Sequence, residues 1–377
     1  MFQIFCSCKD LSTFKPIITE VSIAKEQKKE QRHREAFNIR IYWSVVVSNF
    51  GERNIVGREG TPFPFQKEKG EVILVLKTCQ DVAIQNGKGI LKLEIEITRG
   101  CPLKCIHCSV SASNYVAPNE LKLDEISRAI SEFSGIDGKQ LVITGGEPLA
   151  KGKKFIMSIL NEAESHNMST LIYTSGCIVD ESLIKSLRGK AVTMCISIEG
   201  VERTHDKITG VRNSYRHAVN TLKLCQKYGV RTVINFTPMR VNYREFPHIL
   251  AIAKEFNAEF VKLFNFSAQG RGLDNRGSLK LSTKERHETI QMIKKVLDEK
   301  NVPIDIGGEI QGLNTRCSVG EKIVVTSDGD VAPCLGLRSN PAFVIGNIRK
   351  QSLSDLFTKV ERMRSDKCLC SSAKVKV

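Results

Sequence analysis

From Leu91 onward, apolar positions recur in two alternating rhythms. Leu91 to Thr98 (LKLEIEIT) alternates with period two, the pattern of a strand with one apolar face. Leu123, Ile126, Ala129, Ile130 and Phe133 then fall three and four residues apart, on one face of a helix. The same exchange of rhythms repeats down the chain. Strands are expected at Gln140 to Thr144, Ser169 to Thr174, Ala191 to Ile198, Arg231 to Phe236 and Glu259 to Phe264. Helices are expected at Phe155 to Ser165, Glu181 to Leu187, Tyr215 to Tyr228, Phe246 to Phe256 and Lys284 to Glu299. Six strands alternating with helices are the pattern of right-handed parallel βα units. Eight units close a barrel, so six imply an α/β chain built on a partial (β/α)6 TIM-like barrel. Ligands are then expected at the carboxyl ends of its strands.

Two flanking regions break the rhythm. Residues 1–85 hold a charge-dense helical stretch at Ile23 to Arg34, a strand-like Phe37 to Val47, and a Gly- and Pro-bearing loop at Gly57 to Gly70. They carry no recognisable chemistry and read as an N-terminal extension; Cys6 and Cys8 are near enough to share a metal, but C-x-C alone specifies little. After Asn301 come short strand-like pieces and turns (VVTSDGDVAPC), then an amphipathic helix near Ser352 to Met363. The chain therefore divides into an extension at 1–85, a core domain at 86–300 and a small C-terminal module at 301–377.

Composition narrows the class. With 41% hydrophobic and 26% charged residues the chain is an ordinary globular protein rather than a disordered one. No run approaches the roughly 18 apolar residues of a membrane helix, and Met1 to Cys8 lack the basic and apolar regions of a secretory signal. A cytoplasmic setting with reduced thiols is the expectation. The 13 cysteines in 377 residues are too sparse for a disulfide scaffold and odd in number. They read as thiols or metal ligands. The net charge of +15 is spread along the chain, apart from Lys25 to Arg34 and Lys151 to Lys154. Spread charge is a solvated surface, which argues against a nucleic-acid partner.

The chemistry begins directly after the first strand. Cys101, Cys105 and Cys108 stand in C-x3-C-x2-C spacing. Three thiolates on one short loop can hold three corners of an iron–sulfur cubane and leave the fourth iron open. Zinc is the rival, but it needs a fourth ligand, and His107 beside Cys108 is badly placed to serve the same ion. At the end of the second strand comes Thr144-Gly145-Gly146-Glu147-Pro148. Two glycines allow the backbone a close approach to a ligand, and free carbonyls with a carboxylate can accept an ammonium. The third strand ends Tyr173-Thr174-Ser175-Gly176, and the fourth Ile196-Ser197-Ile198-Glu199-Gly200, followed by His205-Asp206.

These landmarks, in this order, resemble the radical S-adenosylmethionine enzymes. The cysteine triplet, the Gly-Gly-Glu-Pro turn and an aromatic-like residue, here His107, before the third Cys all match. Departures are Ser175 for asparagine, Glu199 for aspartate and Thr209-Gly210 where arginine-glycine is common. The resemblance implies a [4Fe-4S] cluster on Cys101, Cys105 and Cys108. It implies S-adenosyl-L-methionine bound near Gly145, Gly146, Glu147, Pro148, Ser175 and Ser197. Arg271, in Gln269-Gly270-Arg271-Gly272 after the sixth strand, either pairs with a carboxylate of the bound cofactor or caps a loop.

The C-terminal module resembles the auxiliary-cluster domains called SPASM and its shorter form, twitch. Cys317, the Asp328-Gly329 hairpin signal, Cys334, Cys368 and Cys370 carry that likeness. Four cysteines suffice for a second cluster; a partly liganded module is the rival. Cys79, Cys177, Cys195 and Cys225 have no ligand spacing. Cys195 and Cys225 read as small core residues, whereas Cys177 lies near the end of the third strand. The resemblance implies reductive cleavage of the cofactor's sulfonium, with reduced ferredoxin or flavodoxin as donor and a peptide or cofactor precursor as substrate. Rival functions are a non-catalytic iron–sulfur electron carrier and a related enzyme acting on RNA.

Overall fold

The structure is a computed structural model and describes residues 45–48, 65–68, 71–74, 91–299, 303–307 and 319–363. The chain separates into two compact units, Met1–Gly89 and Ile90–Val377. In the first, β1 (Val45–Ser48), β2 (Phe65–Glu68) and β3 (Glu71–Leu74) form an antiparallel sheet in the order β1-β3-β2. The charge-dense stretch Ile23 to Arg34, together with Cys6, Cys8 and Cys79, lies outside the described residues.

Ten strands are described in the second unit. β4 (Lys92–Glu96), β5 (Gln140–Thr144), β6 (Ser169–Thr174), β7 (Val192–Ser197), β8 (Arg231–Phe236) and β9 (Val261–Phe264) pair in parallel, each with the next in the chain. β10 (Ile304–Gly307) adds a further parallel strand beyond β9. The crossovers are α1 (Leu123–Gly135), α2 (Lys153–Ser165), α3 (Glu181–Leu187), α4 (Glu202–Thr209), α5 (Ser214–Tyr228) and α6 (Phe246–Glu255). Beyond β9 come α7 (Arg271–Asp274), α8 (Arg276–Leu279) and α9 (Thr283–Glu299). The sheet stays open, as the strand count implies, because β4 does not pair with β10.

Strand alternation sorts the side chains. Leu93, Ile95, Leu141, Ile143, Ile172, Met194, Ile196 and Ile234 join the large core shared with the helices. Val142, Leu171, Cys195 and Val233 form a smaller cluster on the opposite, inner face. Register aligns Glu94 with Val142, so Glu94 and Glu96 belong to that inner face as well. Cys225 lies in the outer core, where burial pushes its thiol up to about 12. Both core cysteines thus behave as small apolar residues. Three short helices escape the periodicity: α4 is polar on most positions, and α7 and α8 are single turns.

The C-terminal ribbon continues the barrel sheet rather than standing apart from it. β11 (Lys322–Val325) pairs in parallel with β4, covering an edge that the open barrel leaves exposed. A turn through Asp328-Gly329, with Gly329 at φ +88°, leads into antiparallel β12 (Asp330–Ala332), and β13 (Gly346–Asn347) pairs with β12. α10 (Leu353–Arg362) is tied to α1 by the Leu353 N–H donating to Glu132 at 2.6 Å.

Arg349 is the main polar tether of this ribbon. Its guanidinium donates to Glu125 Oε1 at 2.5 Å and Oε2 at 3.2 Å, and to the carbonyls of Asp328 and Asn119. The hydrogen bonds from Arg349 hold the Glu125 carboxyl down at about 2. A depressed carboxyl contributes stability above its ordinary pKa of 4.5 and loses it as pH falls toward about 2. Urea denaturation should show Glu125→Gln less stable by about 1 kcal/mol at neutral pH, discounted for the partial exposure of the pair. That gap should narrow below pH 4.5; a gap constant down to pH 3 would contradict the pairing.

Candidate active site

The loop from β4 to α1 carries the cysteine triplet at the carboxyl end of the first barrel strand. It is anchored at several points. Glu120 accepts from Thr98 Oγ1 at 3.0 Å and the Arg99 N–H at 2.7 Å, and its other oxygen meets Lys151 Nζ at 2.9 Å. The Cys101 N–H donates to the Ser113 carbonyl at 2.7 Å. The Lys104 and Ile106 N–H groups donate to the carbonyls of Thr209 and Ile208, each at 2.9 Å. Arg271 donates from Nε to the Cys105 carbonyl at 2.9 Å and from Nη1 to the Ala112 carbonyl at 2.6 Å. Arg271 thus holds the cysteine loop by two of its carbonyls.

The three cysteines are half-buried. Burial pushes the Cys101 thiol up to about 11 and Cys105 well above its usual value. Neighbouring cysteines oppose ionisation further, since two thiolates in one dry pocket repel. The Ala112 N–H donates to Cys108 Sγ at 3.3 Å. This donor set fits a group that carries its own positive iron and binds several thiolates at once. Among the described residues no three His, Cys, Asp or Glu side chains gather about a single-ion position. Three thiols on one loop are the number of ligands that a cubane with one open iron takes.

The Gly-Gly-Glu-Pro turn packs directly against this loop. Gly145 has φ +136°, and a Cβ there would lie 2.1 Å from the Thr98 carbonyl oxygen. A Cβ on Gly146 would lie 2.4 Å from the Gly100 carbonyl oxygen. The Gly146 and Glu147 N–H groups donate to the carbonyls of Thr98 and Gly100, each at 2.8 Å. The glycines are thus required, at the least, by close approach to the chain's own cysteine loop.

Glu147 is fully buried, and burial raises its carboxyl. Both oxygens are occupied. Oε1 accepts from Thr174 Oγ1 at 2.8 Å and the Leu149 N–H at 3.2 Å. Oε2 accepts from the Ser175 N–H at 2.8 Å and Ser175 Oγ at 2.5 Å. The carboxylate therefore bolts the end of β5 to the end of β6, and brings Ser175 to the site by that route. Pro148 follows as the buried first residue of a short 3₁₀ turn. Cys177 is half-buried next to this turn, its N–H donating to Ser175 Oγ at 3.3 Å.

Ser197 and Asn235 stand side by side at the ends of β7 and β8, with Asn235 Nδ2 3.4 Å from Ser197 Oγ. Beyond them Glu199, nearly inaccessible, accepts the Thr237 N–H at 3.1 Å and lies 3.5 Å from His107 Nε2. The Glu199 N–H donates to Nδ1 of the buried His205 at 3.0 Å. Burial lowers the His205 pKa, so that ring is neutral and accepts at Nδ1.

One contributor, Arg338, carries no local pattern that would reveal it. Arg338 reaches back from the loop after buried Cys334, meeting Glu96 Oε1 at 2.6 Å and donating to Ser109 Oγ at 2.9 Å. Gln269 Nε2 donates to the Gly336 carbonyl. Glu96 carried a signal, a carboxylate at an inner-face position of a barrel strand; Arg338 carried none. The remaining anticipated ligands of the C-terminal module, Cys317, Cys368 and Cys370, lie outside the described residues.

Comparison with known proteins agrees with this geometry. The signature of the radical SAM superfamily matches residues 95–253, and that of the SPASM iron–sulfur cluster-binding domain matches 317–372. The chain is 26% identical over 214 residues to an Fe-coproporphyrin III synthase of Methanosarcina barkeri, covering 56% of this chain and 53% of that protein. It is 26% identical over 207 residues to a PqqA peptide cyclase of Bradyrhizobium diazoefficiens, covering 54% of each. It thus matches about half the length of these relatives. Streptococcus suis SuiB, solved with S-adenosylmethionine, shares the fold with a TM-score of 0.59 at 17% identity, over 75% of this chain and 70% of that one. SuiB has also been solved with its precursor peptide SuiA. The cysteine loop and the glycine turn packed against it thus lie within the stretch that matches the radical SAM superfamily, and the β11–β13 ribbon within the stretch that matches the SPASM iron–sulfur cluster-binding domain.

Proposed function

We propose that the protein is a maturase-type enzyme acting on a peptide or a cofactor precursor, with peptide the better supported. The observation that carries the reading is the cysteine loop locked by backbone hydrogen bonds to the Gly145-Gly146 turn. Cys101, Cys105 and Cys108 would hold a [4Fe-4S] cluster, which together with S-adenosylmethionine would supply reductive sulfonium cleavage and hydrogen abstraction from substrate. The protein's share is position and dryness. Arg271 and Asn275 fix the loop by its carbonyls, Glu147 fixes the β6 turn, and Ser197 with Asn235 offers hydroxyl and amide groups to the cofactor. Cys317, Cys334, Cys368 and Cys370 hold a second cluster in this reading, within the C-terminal module at 301–377.

Peptide is favoured by the inner face of the barrel. Glu94 Oε2 and Asn235 Oδ1 are buried without a hydrogen-bond partner, while Glu96 Oε2 lies 3.7 Å from Arg99 Nε. Buried acceptors call for donors, and a peptide backbone brings N–H groups. PqqA peptide cyclases among the relatives point the same way. A reduced ferredoxin or flavodoxin in the cytoplasm is the proposed source of electrons. Among the described residues no helix is long and apolar enough to cross a membrane.

The test is direct. Reconstituted protein, given dithionite and S-adenosylmethionine under anaerobic conditions, should release 5′-deoxyadenosine. None released from protein with an intact cluster would overturn the proposal.

A further inference from the structure

The reductive step proposed above needs one electron from outside, and the outer rim of the cysteine loop has a distinctive charge. Three segments meet there. Lys104 lies within the loop itself and is exposed. Its N–H bonds the Thr209 carbonyl at the end of α4, and a Cβ on Gly210 would lie 3.2 Å from Lys104 Cβ. α8 is brought in by Asn275, whose Nδ2 donates to the Ile106 carbonyl at 3.1 Å. Beneath them Ile208, Met239 and Leu279 form a small buried cluster against which Ile106 packs. The three segments therefore share one surface, a few residues from the ligand cysteines.

Their exposed charged side chains are nearly all basic. Arg203, Lys207 and Arg212 are exposed on and just after α4, and Arg276 and Lys280 on and just after α8. Arg203 and Lys207 are four residues apart and share a helix face. The acids of the same segments are engaged elsewhere. Glu202 is paired with Arg216 at 2.7 Å, and Asp206 accepts from the Asn213 and Tyr215 N–H groups and the Ser214 hydroxyl. Asp274 is the one exposed acid among these segments.

We infer that this rim is the docking surface for an acidic one-electron carrier protein, which passes its electron to the group held by Cys101, Cys105 and Cys108. The inference rests on the proposed function and names the partner for its reductive step. In the transfer the carrier is oxidised by one electron and the bound group reduced by one; no bond forms and no proton moves. Complementary charge steers such encounters and raises association rates by about 10- to 1000-fold, an advantage that salt removes. The position matters as much as the sign. The rim's backbone is bonded directly to the cysteine loop, so a carrier seated there lies closer to the ligands than one bound on the helical flank.

The experiment compares two charge-reversal triples of equal net change. One is Lys207→Glu, Arg212→Glu and Arg276→Glu; the other is Lys185→Glu, Lys223→Glu and Lys254→Glu, on α3, α5 and α6. Binding of an acidic bacterial flavodoxin to the full chain is read by bio-layer interferometry at several salt concentrations. Formation of 5′-deoxyadenosine is read with flavodoxin and its reductase, and separately with dithionite. The rim triple should weaken flavodoxin binding and the flavodoxin-driven rate at least tenfold, flatten their salt dependence and leave the dithionite-driven rate unchanged. The flank triple should keep wild-type binding. Equal losses in both triples would reduce the effect to net charge and overturn the assignment. Unchanged flavodoxin binding in the rim triple would overturn it too, and loss of tRNA retention by that triple would then assign the rim to nucleic acid. Should the rim triple fail to fold, the neutral set Lys207→Gln, Arg212→Gln and Arg276→Gln is expected to give a smaller loss of the same kind. Failure of the dithionite reaction in the wild type would count against the proposed function, while the binding measurement still decides the surface.

Discussion

Protein in which Cys101, Cys105 and Cys108 are all replaced by Ala is expected to lose about four irons per chain, one cubane's complement, and all dithionite-driven release of 5′-deoxyadenosine. The expectation follows from where the other thiols lie. Cys195 and Cys225 are fully enclosed in apolar surroundings, and Cys225 is held protonated up to about 12. Neither can move into the gap without opening the core. Cys177 is nearer, but burial pushes its thiol up to about 11 and its backbone is pinned to the Ser175 hydroxyl. Substitution of Cys225 alone should therefore leave iron unchanged, since it only trims a small apolar side chain. Iron measured colorimetrically after anaerobic reconstitution checks both arms. Unaltered iron in the triple variant would remove the ligand assignment altogether.

The second large effect is expected at Gly145. Ala there places a methyl carbon 2.1 Å from the Thr98 carbonyl oxygen, at φ +136° where side chains are strained regardless of space. The obstacle is backbone on both sides, so nothing flexible can yield. Either the β5 turn or the cysteine loop must shift, breaking the two hydrogen bonds from Gly146 and Glu147. A loss of at least about 3 kcal/mol is expected, seen as a fall of roughly 6–12 °C in thermal midpoint. Cluster retention should fall with it. Gly135→Ala is the control: a Cβ added there would meet no atom within 4 Å, and its backbone has no positive φ. A Gly145→Ala protein that melts with the wild type would show that the turn and loop are not held as described.

Much of this arrangement could be read from residue order, for a physical reason. Strands β5, β6 and β8 and helix α3 begin and end where the apolar rhythm changes, because there local pattern and tertiary burial demand the same thing. The cysteine spacing was legible because ligands on one loop must be close in sequence. Other parts of the site depend on contacts between distant segments, which no local pattern records. Arg338 meets Ser109 across 229 positions, and Arg271 meets the Cys105 carbonyl across 166. The sequence marked Arg271 as notable but could not choose between a ligand carboxylate and loop carbonyls. The four donors that Glu147 accepts from within the chain likewise leave no mark in the local pattern. The short polar helix α4 went unseen because its apolar stripe is only His205, Ile208 and Thr209.

The pairing of β11 with β4 has a consequence for synthesis. Lys322 sits opposite Lys92 in register, so the strand that launches the cysteine loop gains its outer neighbour only after 230 further residues have been made. On the ribosome, β4 through β9 can assemble in chain order while the edge of β4 waits uncovered. Throughout that interval Arg338 is absent from Glu96 and Ser109, and the loop lacks part of its brace. The strand made first in the barrel is thus finished last.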